Sequence, residues 1–249
     1  MKTRFDHSNT FDRNFAFMRK LEKAGFILGS NEVEHPGKHF CRFIYFPQDK
    51  KHRTYLEFIH VGKNGEKIDT TGLSFASVDA LKKIYKNLVS KKIECKLSHK
   101  NYDWKNNNID RLPGWNFIEF PKKMKSLEFW GTEYEKNPFK KRPTVFKIHL
   151  NGVSKILSLE MALSPKDLPL FESIFKKEKD GALSFFNGVS IHYKLAKKTH
   201  IQSIVLGTKN LKKMVKEFEW DELISYRGVP AVKILNPNEN MWDILVVQI

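Results

Sequence analysis

The chain has 249 residues and a mass of 29.2 kDa, enough for one large domain or two of ordinary size. Apolar residues make up 41% and aromatics 13%, with 20 Phe among them, which excludes a disordered chain and supplies a sizeable core. Forty-four Lys and Arg against 28 Asp and Glu leave a net charge of +16, with a pI of about 9.7, so the surface is strongly cationic.

Residues 4–10 read as a first strand. A helix follows, with Asp12 as N-cap, Phe15, Met18 and Leu21 at helical spacing, and Gly25 as a left-handed C-cap. Three strands are predicted at 26–34, 40–46 and 54–61, separated by His35-Pro36-Gly37 and Pro47-Gln48-Asp49. The order then repeats: a strand at 72–76, a helix capped by Ser77 with Leu81, Ile84, Tyr85, Leu88 and Val89 on one face, and strands at 93–97, 116–120 and 126–130. Leu56-Glu57-Phe58-Ile59 echoes Leu127-Glu128-Phe129-Trp130, each in the last strand of its unit.

Residues 136–143 (KNPFKKRP) are charged, bracketed by prolines and aperiodic, and read as a linker between an N-terminal domain, 1–135, and a C-terminal one, 144–249. Beyond the linker, strands are predicted at 144–150 and 155–163, then a helix opened by Ser164-Pro165. A hairpin at 182–195 is expected to turn at Asn187-Gly188 in the type I′ geometry. A strand at 201–206, a helix capped by Thr208, and strands at 231–235 and 242–247 complete two more β-α-β units, making four in all.

Several classes are excluded on these grounds. No apolar run is long enough to span a bilayer, and residues 1–13 carry no apolar stretch after their charges, so neither a membrane span nor a secretory leader is expected. Cys41 and Cys95 are too few for a disulfide framework or a thiolate zinc site, and both read as small apolar residues. The basic residues are spread as pairs along the whole chain and Lys dominates, without any nucleic-acid-binding motif, so they read as a solvated coat. The expectation is a cytoplasmic α+β protein that binds a small molecule rather than nucleic acid or membrane, with a homodimer compatible.

The residues Phe5-Asp6-His7, Leu21-x-x-x-Gly25-Phe26, His35-Pro36-Gly37-Lys38-His39 with Arg42-Phe43-Ile44, and Tyr55-Leu56-Glu57-Phe58-Ile59 together resemble the vicinal oxygen chelate superfamily, in its glyoxalase-like branch. The similarity is clearest over residues 4–62, fair to about 131, and faint in the C-terminal half. It implies tandem β-α-β-β-β units paired into curled mixed sheets around a cleft. Members of the superfamily include lyases, isomerases, ring-cleaving dioxygenases, thiol transferases and non-catalytic binding proteins. Metal ligands in such enzymes come from the first and last strands of each paired unit, here His7, Glu57, Ser74 and Glu128. Ser74 departs from that pattern, which leaves His7, Glu57 and Glu128 to hold a divalent ion such as Zn, Fe, Mn or Ni, with Glu57 and Glu128 as the catalytic carboxylates. The corresponding C-terminal positions, Ser158, Ser203 and Asp243, form no metal set.

Strand alternation puts Phe5, His7 and Asn9 on one face, and Tyr55, Glu57 and Ile59 on a face opposite Leu56 and Phe58. Glu57 and Glu128 each stand mid-strand between apolar residues, where a carboxylate is costly to bury without compensation. Arg42 is a candidate anchor for an anionic substrate group, and His39, Trp115, Trp130 and Ser74 are candidate lining residues. Two readings follow: a metal-dependent lyase, isomerase or dioxygenase, or a binding protein of the same fold without chemistry.

Overall fold

A computed structural model describes residues 2–29, 33–35, 39–47, 54–60, 70–100, 114–121, 124, 126–134, 149–238 and 240–249. Four stretches each run strand, helix, three strands. The first holds β1 (Thr3–Phe11), α1 (Ala16–Lys23), β2 (Val33–His35), β3 (His39–Phe46) and β4 (Thr54–His60). The second holds β5 (Thr71–Ser77), α2 (Leu81–Ser90), β6 (Lys96–Lys100), β7 (Trp115–Glu119) and β8 (Leu127–Tyr134). The third holds β9 (Val153–Leu163), α3 (Leu168–Ile174), β10 (Lys176–Lys177), β11 (Leu183–Ser184) and β12 (Ser190–Leu195). The fourth holds β13 (His200–Thr208), α4 (Leu211–Glu217), β14 (Glu222–Tyr226), β15 (Val229–Ile234) and β16 (Asp243–Gln248). The predicted linker at 136–143 and most of the strand predicted at 144–150 lie outside the described residues.

The strands form two eight-stranded mixed sheets of identical order, β2-β3-β4-β1-β5-β8-β7-β6 and β10-β11-β12-β9-β13-β16-β15-β14. Within each, the first strands of the two units pair antiparallel at the centre, and each pairs parallel with the last strand of its own unit. This is the curled α+β architecture that the unit order implies.

Local chemistry explains where α1 begins and ends. Both carboxylate oxygens of Asp12 accept backbone N–H groups, of Phe17 (2.9 Å) and Met18 (2.8 Å), so the cap reaches across a short 3-10 turn. Gly25 closes the helix at φ +82°, and a Cβ there would lie 2.6 Å from the Phe218 ring, so the position needs glycine twice over. Asn210, rather than Thr208, caps α4 by accepting the Lys213 N–H.

The two sheets meet through their helix-covered faces. Phe129 stacks on Phe171 of α3 at 4.9 Å, Phe5 meets Phe185 edge-on, and Trp242 sits against both Phe17 and Phe58. One continuous core therefore serves both sheets. Polar contacts add register: the Trp242 indole donates to the Asn9 carbonyl, and Asn151 donates to the Ala24 carbonyl. Their concave faces point away from this core.

The hairpin predicted at 182–195 forms, but Asn187 does not adopt the left-handed conformation of a type I′ turn; Gly188 alone does, at φ +81°. The Asn187 side chain instead binds the backbone of Phe5, accepting its N–H (3.0 Å) and donating to its carbonyl (2.9 Å).

His149 is buried beside Phe26 and Phe46, its Nδ1 accepting the Ile27 N–H, and burial lowers its pKa from 6.5 to about 4. The folded value lies below the unfolded one, so the unfolded chain takes up the proton first as pH falls. Stability is complete above pH 6.5 and should drop by about 2–3 kcal/mol toward pH 4.5. Urea unfolding at pH 7 and 4.5 reads this loss, and His149→Gln should remove that share of the pH slope.

Candidate functional site

The concave face of the first sheet carries two rows of side chains across its four central strands. Backbone register aligns Tyr55, His7, Ser74 and Trp130 in one row, and Glu57, Asn9, Gly72 and Glu128 in the next. Alternation would turn Asp6 to the opposite face from His7, but the β1–β5 register slips between Phe5 and His7, leaving Asp6 as the extra residue of a bulge. Asp6 is thereby able to reach its own neighbour, 2.7 Å from His7 Nδ1.

His7 is 6% exposed and held on every side. Asp6 takes Nδ1, Glu57 lies 3.7 Å from Nε2, Tyr55 stacks on the ring at 4.5 Å, and Trp130 packs edge-on. The 3.7 Å separation is too long for a hydrogen bond, so Nε2 and Glu57 face each other across a narrow gap. Tyr134 donates to Asp6 and its hydroxyl lies 3.1 Å from that of Tyr55, joining β8 to β4 across the curl of the sheet. Burial pushes both tyrosines well above their ordinary pKa. Tyr134 and then Asp6 and Glu57 raise Tyr55 further, while Asp6 raises Tyr134 against the opposing hydrogen bond to Tyr55, so both remain neutral donors. Burial, then Glu57, raises the Cys41 thiol likewise; it hydrogen-bonds the Glu57 carboxylate as a neutral group rather than acting as a nucleophile.

The structure brings together only some of the residues singled out from sequence. His7, Glu57, Ser74 and Trp130 share the concave face, and Trp115 borders it against Tyr134. Glu128 lies on that face but is exposed, at the opposite end of its row from Glu57. Glu57 stands on β4 and Glu128 on β8, and among the described residues the two carboxylates are not grouped with His7 as a metal-holding set. Arg42 is corrected outright: β3 turns Cys41, Phe43 and Tyr45 to the concave side, and Arg42 to the helix side, where it pairs with Glu22 of α1 at 3.2 Å. The His39 side chain lies outside the described residues. Asp6, Cys41 and Tyr134 were not found by sequence reasoning; the bulge hides Asp6, and the other two differ from core residues only by what lies opposite them.

Among the described residues, no group of three His, Cys, Asp or Glu side chains is placed to hold a metal ion. His7 and Glu57 offer two donors, the aligned Ser74 hydroxyl is buried without a hydrogen-bond partner among the described residues, and Glu128 is exposed. This donor set does not fit the three-ligand centre that the resemblance implies.

Gly72 makes room for the face. A Cβ there would overlap Asn9 Oδ1 at 1.7 Å and Trp130 at 2.7 Å. Gly72→Ala should therefore cost about 1–3 kcal/mol by overpacking and shift tryptophan emission as Trp130 is displaced. A variant with the parent's urea midpoint and spectrum would contradict this placement.

No family model matches the chain, and no curated protein matches it. Solved structures do. A hypothetical protein from Staphylococcus aureus superposes with TM-score 0.66 over 100% of both chains at 11% identity. An extradiol ring-cleaving dioxygenase from B. fuscum gives TM-score 0.55 and 10% identity over 98% of this chain and 71% of its own. Homoprotocatechuate 2,3-dioxygenase from Arthrobacter globiformis gives TM-score 0.55 and 12% identity, over 99% and 79%. At these identities the likeness is one of fold: the chain has the curled paired-sheet architecture of the extradiol ring-cleaving dioxygenases.

Proposed function

We propose that the chain is a glyoxalase-like member of the vicinal oxygen chelate superfamily, and that it binds a small planar molecule on the first concave face without metal chemistry. The observation that carries this is the His7 environment. A buried imidazole with a carboxylate at each nitrogen is a rigid polar anchor; Tyr55 and Trp130 pack against it, and Phe43 and Tyr45 extend the aromatic surface beyond Tyr55. Such a mix of apolar walls and a few fixed polar groups characterises small-molecule sites. The exposed end of the row, at Glu128, is the side from which a ligand enters.

In this reading a ligand hydroxyl or amide bridges His7 Nε2 and Glu57 from the side, donating to one and accepting from the other's proton. Asp6 holds the ring so that Nε2 stays turned to Glu57. Tyr134, by donating to Asp6, limits the conformations available to both.

The alternative, a metal-dependent lyase, isomerase or dioxygenase, needs a third donor beside His7 and Glu57. Elemental analysis after exposure to Mn, Fe, Co, Ni and Zn separates the two. The proposal expects less than stoichiometric metal and quenching of tryptophan fluorescence by members of a panel of catechols, dicarbonyls and aromatic carboxylates. Glu57→Gln and His7→Ala should each weaken such binding at least about tenfold, the loss of one buried charge-assisted contact. One ion per chain, lost in Glu57→Ala, would overturn it in favour of the metalloenzyme.

A further inference from the structure

The concave face of the second sheet carries a different cluster, assembled from three distant stretches of chain. Glu160 on β9, His192 on β12 and the β14–β15 turn at Tyr226-Arg227 come together there, although four strand positions separate β12 from β15. The curl of the sheet carries the hairpin tip back over its own far edge.

The turn is built for this reach. Arg227 and Gly228 both take positive φ, at +51° and +82°, the type I′ geometry. Asn or Asp is favoured at the first of these positions, so an arginine there accepts backbone strain and places a guanidinium at the tip. Arg227 NH1 lies 3.2 Å from His192 Nε2, and NH2 lies 3.4 Å from Glu160 Oε1, which also accepts the Tyr226 hydroxyl. The Arg227 side chain remains half exposed, so this is a clasp at the rim and not part of the core.

We infer that Arg227 is a proton-sensitive latch across the second concave face, closed while His192 is neutral and released when His192 gains a proton. A guanidinium can only donate, so the Arg227–His192 contact requires an unprotonated Nε2. Protonation removes that acceptor and sets two cations about 3 Å apart. The groups facing His192 are Arg227 from the hairpin tip, Glu160 from β9 and Asp180 from the loop between β10 and β11. Burial, then Arg227, lowers the His192 pKa below its ordinary 6.5, while Glu160 and Asp180 oppose the shift, so the latch is closed at neutral pH. On release, Arg227 breaks from His192 and keeps only its contact to Glu160, while the Tyr226 hydroxyl still reaches Glu160 and Ser158.

The test is an NMR titration of the full chain from about pH 7.5 to about pH 5, following the His192 Cε1–H and Arg227 Nε–H signals. The latch predicts a shared midpoint below 6.5 for the two residues. Arg227→Ala should raise the His192 midpoint, since both the repulsion and the accepted bond are lost. His192→Gln keeps a neutral acceptor and should leave the Arg227 signal flat. An Arg227 signal that does not move in the parent, or a His192 midpoint unchanged in Arg227→Ala, would overturn the inference. The arginine variant lies on an exposed turn, so it reports even if the His192 variant fails to fold.

Discussion

The first concave face depends on one irregularity, the bulge at Asp6, and on what holds it. β4 pairs with β1 only from His7 onward, so the Phe5 N–H and carbonyl lack a strand partner on that side. The second sheet supplies one: Asn187 binds both groups, and Phe186 donates its N–H to the Thr3 carbonyl beside them. A side-chain amide thus stands in for a peptide group at the point where the strand gains its extra residue. Phe5 is fixed into the shared aromatic core on one side, while Asp6 and His7 are presented on the other. The C-terminal half is in this sense a structural part of the N-terminal site.

The two sheets share a strand order but not a chemistry. In the first, the central strands carry a buried imidazole between two acids, enclosed by rings. In the second, the corresponding strands carry Glu160 and His192 at a solvent-open rim, clasped by an arginine from the far hairpin. Duplicated units of this kind hold the backbone in common and leave the inward positions of the central strands to diverge, because those side chains contribute little to the helix-covered core.

Much of the architecture was legible in the sequence, because the unit order is written in periodicities that local physics enforces. Helical spacing at Met18 and Leu21, glycine at 25 and the paired Leu-Glu-Phe strands each follow from packing a helix on a sheet. Alternation set Glu57 on the face opposite Leu56 and Phe58, as the sheet has it, but put Phe5 on one face with His7, and the bulge at Asp6 separates those two. Residue type alone misled elsewhere: it made Arg42 an anchor for an anionic group, although β3 turns it to the helix side against Glu22. Asp6 was hidden because a bulge breaks the alternation, and His192 because its partners are 32 and 35 residues away in sequence. The two turns teach the same lesson. Asn187-Gly188 has the favoured type I′ residues and does not use them, since Asn187 is engaged by Phe5, while Arg227-Gly228 adopts that geometry against residue preference.

The most direct test of this account is the nitrogen NMR spectrum of the His7 imidazole in Asn187→Ala. If the second sheet holds the bulge, the signature of the Nδ1 contact to Asp6 should shift or vanish while the Trp242 indole signal, deep in the shared core, stays in place. A His7 spectrum identical to that of the parent would contradict the coupling between the two sheets.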